Sequence, residues 1–251
     1  MKTIAVVEDN PDNRLLVQVM LEPAYHIAEY ETGVAALAGI QKNIPDLVLL
    51  DVSLPEMDGT EVLRRIRADS RLQKLPVIAL TANAMAGDRE KYLAAGFDDY
   101  VAKPIVDEAV LLDAIQRHLT EKKTPANSAF VNETNPLDAL AIEHLRKLGG
   151  DKFALDMIEL FFSYGGKKVA ETKQAHLAGD LPGVANAAHP LKSSAGNVGA
   201  LQVQKLAATI EQAAKAGDGA GLNELIGAFE QAYADAKVRL ELEKERIKAV
   251  T

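Results

Sequence analysis

Five residues in the first half of the chain carry side chains suited to phosphoryl chemistry, each placed just behind or at the end of a short apolar run: Glu8 and Asp9, Asp51, Thr81 and Lys103. Three carboxylates gathered at one place repel one another and resist ionisation unless a cation joins them. An all-oxygen donor set of that kind suits Mg²⁺, which takes a few carboxylates and keeps water in its other positions. The Lys103 ammonium and the Thr81 hydroxyl are suited to hold the oxygens of a phosphoryl group, which leaves Asp51 as the carboxylate to attack phosphorus. A second set lies far along the chain in AAHPLKSSAGNVGA, residues 187–200. Here His189 is followed one turn later by Lys192, whose charge can offset that of a phosphate, and by the small residues Ser193 and Gly196.

These residues must be positioned by two different kinds of scaffold. In the first half, apolar runs at Thr3–Val7, Leu47–Val52 and Pro76–Thr81, with weaker ones at His26–Tyr30 and Tyr100–Ala102, alternate with segments of helical period. That rhythm predicts an α/β fold, a doubly wound parallel sheet of five strands. Asn10 followed by Pro11 reads as the N-cap and first residue of a helix. Further helices are predicted at Val34–Lys42, Thr60–Ala68, Asp88–Ala95 and Asp107–Leu119. Ligands of such sheets bind beyond the carboxyl ends of the strands, where the five residues above fall.

The stretch EKKTPANSAFVNETNP, residues 121–136, holds two prolines and three asparagines and little to bury, and reads as a linker between a domain at 1–120 and another at 137–251. Beyond it the pattern is helical throughout: Leu137–Leu148, Asp151–Ala178, Leu181–Asn197, Leu201–Ala216 and Leu222–Lys248, punctuated by glycines. An all-α antiparallel helical bundle follows. At 100° per residue, Val184, Ala188, Leu191, Ala195 and Val198 form one stripe of the third helix, and His189, Lys192, Ser193 and Gly196 fall on the opposite, outward side. Pro190, inside this helix, removes one backbone donor and should bend it. The remaining histidines, His26, His118, His144 and His176, show no metal-ligand spacing.

Composition narrows the function. The 251 residues are 48% hydrophobic and 25% charged, as in ordinary folded protein, and they include no cysteine, so thiolate nucleophiles, disulfides and cysteine-bound metals are excluded. Residues 1–120 hold 12 basic against 19 acidic side chains, net −7, and the remainder is net −1, giving −8 for the chain. Neither half has the basic surplus of a nucleic-acid binder. No apolar run approaches the ~18 residues that span a bilayer, so the expectation is a cytoplasmic protein without membrane insertion. There is no P-loop or other glycine-rich nucleotide segment, so no ATP-binding kinase domain is expected.

Residues 1–120 resemble the receiver domain of two-component response regulators, a flavodoxin-like fold. The likeness rests on VVEDNPDNR, LLDVSLPEMDG, ALTA and GFDDYVAKP. It implies that Asp51 is the phosphoacceptor, that Mg²⁺ is bound by Glu8, Asp9, Asp51 and the backbone carbonyl of Ser53, that Thr81 and Lys103 contact the phosphoryl oxygens, and that Thr81 and Tyr100 form a switch. Residues 137–251 resemble histidine phosphotransfer (HPt) domains, most sharply around His189. That likeness implies His189 as phosphoacceptor and Lys192 as electrostatic helper, with two departures, Ser193 in place of the usual glycine and Pro190 within the helix. Together they imply a phosphorelay intermediate working between a sensor histidine kinase, possibly a hybrid one, and a further receiver or HPt protein. The alternative is a response regulator whose helical half is a non-phosphorylated binding or dimerisation module.

Overall fold

The computed structural model describes residues 1–82, 88–105, 108–119, 138–219 and 221–250. The chain forms two compact units, Met1–Thr134 and Asn135–Thr251. The predicted linker at 121–136 lies outside the described residues.

The first unit alternates strand and helix throughout: β1 (Thr3–Val7), α1 (Pro11–Leu21), β2 (His26–Tyr30), α2 (Gly33–Lys42), β3 (Leu47–Asp51), α3 (Gly59–Ala68), β4 (Val77–Thr81), α4 (Asp88–Ala94), β5 (Asp99–Ala102) and α5 (Glu108–Leu119). The strands form one sheet in the order β2-β1-β3-β4-β5, with every pairing parallel. Every residue of β3 and β4 is buried, as the unbroken apolar runs require of strands covered on both faces. Ala5, Val7, Val48, Leu50, Val77 and Ala79 pack on one face against α2 and α3, through Ala36, Leu37, Ile40, Val62, Leu63 and Ile66. The alternate residues Ile4, Val6, Leu49, Ile78 and Leu80 are fully buried on the other face. The Asn10 side chain accepts from the amide of Asp12 at 3.0 Å and Pro11 opens α1, as predicted.

The second unit is helical, with no strand among its described residues: α6 (Asp138–Leu160), a π-helical turn (Phe161–Gly165), α7 (Gly166–Leu177), α8 (Leu181–Ala188), α9 (Leu191–Asn197), α10 (Leu201–Lys215) and α11 (Leu222–Val250). Gly150, at φ 77°, interrupts α6 where the paired glycines predicted a break. The predicted helix Asp151–Ala178 instead passes through the π turn. Such a turn shifts the hydrogen-bond ladder, and here the Tyr233 hydroxyl donates to the carbonyls of Phe162 and Phe161 at 2.8 and 3.2 Å. Tyr233 also lies 3.1 Å from where a Cβ on Gly165 would sit, so the small residue admits the ring.

Two readings of the 181–197 segment need correction. It is two helices, not one bent helix, because Pro190 has no amide to continue the ladder. The chain recovers through a shorter bond from the Lys192 amide to the His189 carbonyl at 3.2 Å. The stripe of Val184, Ala188, Leu191, Ala195 and Val198 is buried as predicted, but Ser193 and Gly196, placed on the outward side by a straight-helix projection, are buried too. Both sides of α9 therefore meet protein.

Candidate functional site

In the sheet order, β1 lies between β2 and β3, so the chain reverses direction beside β1 and opens a crevice at the carboxyl ends of β1 and β3. Val7 is in register with Leu50, which puts Glu8 and Asp9 next to Asp51 across that crevice. Ligand atoms of Glu8, Asp9 and Asp51 lie within 4.8 Å of one another. Glu8 and Asp51 are buried, while Asp9 is half-buried. Glu8 Oε1 accepts from the Asn13 side-chain amide at 3.1 Å and from the Asn10 backbone amide at 3.3 Å. The Lys103 ammonium, contributed just after β5, donates to Glu8 Oε2 at 2.9 Å and to Asp51 Oδ2 at 2.7 Å. The other oxygen of Asp51, Oδ1, accepts from the backbone amide of Ser53 at 2.9 Å.

The electrostatics follow from that crowding. Burial first, and then the neighbouring charge of Asp51, push the Glu8 carboxyl up to about 8, against the pull of Lys103. Burial works against the Lys103 charge, yet Asp51 and Glu8 outweigh it and hold the ammonium above the usual lysine range. One ammonium set against three carboxylates leaves the cluster short of positive charge, and the donors are all oxygen, so the residues present fit a divalent cation such as Mg²⁺. Gly59, the first residue of α3, lies against the backbone at the end of β3. A Cβ there would sit 2.3 Å from the Asp51 carbonyl oxygen, which explains the glycine in LPEMDG.

Thr81 ends β4 one residue beyond the Leu80–Asp51 register pair, and the Lys103 amide donates to its carbonyl at 2.7 Å. Its hydroxyl is 2.7 Å from the hydroxyl of Tyr92, on α4, and both residues are buried. The predicted partner, Tyr100, is half-buried and stacks on Tyr92 with ring centroids 6.3 Å apart at 26°. Tyr92 therefore lies in the path from Thr81 to Tyr100. An aromatic residue in a short amphipathic helix carries no signal beyond packing, and only the fold brings it to Thr81.

In the second unit His189 closes α8 with its side chain 16% exposed, in a notch and not on an open face. Its Nδ1 is 2.7 Å from Oε1 of Glu211, a buried residue of α10. The same carboxylate takes the Lys192 ammonium on Oε2 at 2.6 Å and the Lys215 ammonium on Oε1 at 2.6 Å. Burial alone would raise the Glu211 carboxyl, but the His189 contact, with Lys192 and Lys215, overrides it and holds the group well below the usual carboxylate range. A carboxylate at Nδ1 calls for the ring proton there, and in the neutral imidazole this leaves the lone pair on Nε2. The Gln204 side chain donates to the Lys192 carbonyl at 2.9 Å and ties α9 to α10. Sequence reasoning missed Glu211, since nothing in its own segment distinguishes it from a solvated helix residue. Among the described residues no histidine joins a metal-binding cluster; His118 instead meets Asp99, Nε2 to Oδ2, at 3.3 Å.

Comparison with known proteins bears on both units. Residues 4–116 match the model of the response regulator receiver domain, and residues 156–243 match that of the Hpt domain. The chain belongs to the response regulator receiver family, with an Hpt domain following the receiver in the same polypeptide. It thus carries the two domain types of a two-component phosphorelay. The signal transduction histidine-protein kinase BarA of Escherichia coli (strain K12) is 33% identical over 225 residues, covering 86% of this chain, and this chain spans about a quarter of that kinase, 24% of its length. The polar-differentiation response regulator DivK of Brucella ovis is 39% identical over 105 residues, 41% of this chain and 85% of DivK. Among solved structures, the receiver domain of sensor histidine kinase PA1611 from Pseudomonas aeruginosa PAO1, which has a magnesium ion coordinated in its active-site cleft, is 39% identical, covers 47% of this chain and 97% of its own, and gives a TM-score of 0.44. Among the described residues no helix is long and apolar enough to cross a membrane.

Proposed function

We propose that this protein is a phosphorelay intermediate in which a receiver at 1–120 takes a phosphoryl group on Asp51 and an HPt bundle at 137–251, joined through 121–136, carries or exchanges phosphate on His189. The observation that carries the relay reading over that of an inert binding module is the 2.7 Å contact of His189 Nδ1 with the buried Glu211, which favours the tautomer that keeps its lone pair on Nε2. A solvated surface histidine has no need of a buried carboxylate behind it.

At the receiver, an Asp51 oxygen forms the bond to phosphorus as the bond from phosphorus to the donor's leaving atom breaks; for a phosphohistidine donor that is a P–N bond, whose electron pair returns to the ring. Glu8, Asp9, Asp51 and the Ser53 carbonyl would hold Mg²⁺, which when bound neutralises charge on the phosphoryl oxygens. Lys103 and Thr81 supply the remaining contacts from the protein, one as a point charge and one as a donor. At the bundle, His189 Nε2 attacks phosphorus, the bond to the aspartate oxygen breaks, and Lys192 offsets the charge of the product. The partners are a sensor histidine kinase, possibly a hybrid one, and a further receiver or HPt protein, and the setting is cytoplasmic.

The test is to phosphorylate the full chain with its kinase and measure the lability of the label. Phosphate that is lost in acid, survives base and maps to the second unit supports the relay, and His189→Gln should abolish that fraction alone. A label confined to the first unit in every partner mixture would favour the binding-module reading.

A further inference from the structure

The buried Thr81–Tyr92 contact is not part of the phosphoryl chemistry described above, and it bears on it directly. The two hydroxyls lie 2.7 Å apart, and each side chain is almost wholly enclosed, at 2% and 5% exposure. The Tyr92 ring is fixed on two sides, stacked on Tyr100 at 6.3 Å and edge-on to Phe97 at 6.0 Å and 88°. A ring gripped in this way does not follow a neighbour that moves.

We infer that Tyr92 is a positioning residue for Thr81: its hydroxyl holds the threonine in the resting arrangement, and that bond is given up when a phosphoryl group on Asp51 recruits the threonine proton. The inference rests on the reading of Asp51 as phosphoacceptor. Either hydroxyl can donate in that contact, so it is the swing of the threonine oxygen away from Tyr92, not the loss of its proton, that breaks the bond. When the threonine turns to an anionic acceptor, the fixed tyrosine hydroxyl is left to find another partner in a buried place, and that loss opposes the switch. The same event reaches the surface, because the ring that loses its anchor is the one on which half-buried Tyr100 stacks. Tyr92 thereby sets how much of the free energy of phosphorylation is taken up in freeing Thr81 before Tyr100 repacks.

Removing the hydroxyl while keeping the ring should therefore favour the phosphoryl-bound state. The full chain is titrated calorimetrically with beryllofluoride, a phosphoryl mimic, in the presence of Mg²⁺. Tyr92→Phe should bind about fivefold more tightly than wild type, the worth of one buried hydrogen bond. The same substitution made on Thr81→Ala should change the affinity by less than about 1.5-fold, because the bond is already absent. A merely structural role for the tyrosine would move both backgrounds alike. Equal or weaker binding by Tyr92→Phe, or an unchanged gain on Thr81→Ala, overturns the inference while leaving Asp51 in place. Failure of the wild-type chain to bind beryllofluoride, with Asp51→Asn behaving identically, would instead remove the Asp51 reading and the inference with it.

Discussion

The two sites are built on opposite electrostatic plans. In the receiver, one ammonium, Lys103, pairs with Glu8 and Asp51 while Asp9 completes the acidic cluster, so negative charge outnumbers positive there. In the bundle, one buried carboxylate, Glu211, gathers two ammonium groups and an imidazole, so the surroundings of His189 already favour an arriving anion. A phosphoryl group can be held by a site of either kind, but at different cost. The aspartate site needs its charge made good from outside, and the histidine site carries its own. On the roles proposed for Asp51 and His189, a phosphoacceptor is defined less by the accepting atom than by which side of the charge balance the fold leaves open.

The largest effect breaks the contrast at its acidic end. Asp51→Asn keeps the size and shape of the side chain, so the receiver should fold, and labelling by acetyl phosphate or by a kinase should vanish. Continued stoichiometric labelling of the first unit would sink the assignment. At the basic end, Glu211→Ala frees the imidazole and leaves two lysines without their shared carboxylate. Transfer to the bundle should slow by about 10–100-fold, as when a group that orients a reactive histidine is removed. The bundle should lose about 1–3 kcal/mol of stability in denaturant titration. Glu211→Gln, which keeps an acceptor for Nδ1, should recover part of the rate.

Acidification sharpens the contrast further. The Glu211 carboxyl is held below its ordinary value of 4.5, so the folded bundle binds its proton less readily than the unfolded chain does. Its contribution to stability is fully present above about 4.5 and is lost as pH falls below that value towards the depressed folded value. The denaturation midpoint of the isolated second unit should therefore drop more steeply below pH 5 in wild type than in Glu211→Gln; parallel curves would show that the carboxylate contributes nothing. The smallest effect belongs to Lys215, whose side chain is 64% exposed, against 15% for Lys192. Lys215→Ala should change bundle stability by less than about 0.5 kcal/mol, as solvent-screened pairs do. Lys192→Ala should slow transfer visibly, and equal rates for the two variants would show that burial does not separate the two lysines.

What could be read in the sequence follows the range of the interactions involved. Runs such as Leu47–Leu50 and the Asn10–Pro11 pair encode strands and caps locally, and the observed elements start and stop within about two residues of those readings. The acidic cluster was legible because a parallel sheet sends every strand end to one edge, so Glu8, Asp9, Asp51 and Lys103 meet wherever the loops run. Glu211 and Tyr92 were not legible. Glu211 is 22 residues from the histidine it orients and Tyr92 is 11 from the threonine it holds, on helices whose own patterns only report packing. The burial of Ser193 and Gly196 was missed because a helical projection shows which side of a helix a residue faces, not which neighbouring helices cover that side.

The stacked tyrosines have an optical consequence. With no tryptophan in the chain, six tyrosines dominate its near-ultraviolet absorption and emission: Tyr25, Tyr30, Tyr92 and Tyr100 in the first unit, Tyr164 and Tyr233 in the second. Tyr92 and Tyr100, 6.3 Å apart and 26° from parallel, are close enough for their electronic transitions to couple. Any rearrangement of that pair changes the sign or amplitude of the coupled near-ultraviolet dichroism, while the two tyrosines of the bundle contribute a separate background. The pair is thus an unlabelled chromophore beside Thr81, and the rearrangement proposed at Asp51 should be read out in the differential absorption of left and right circularly polarised light.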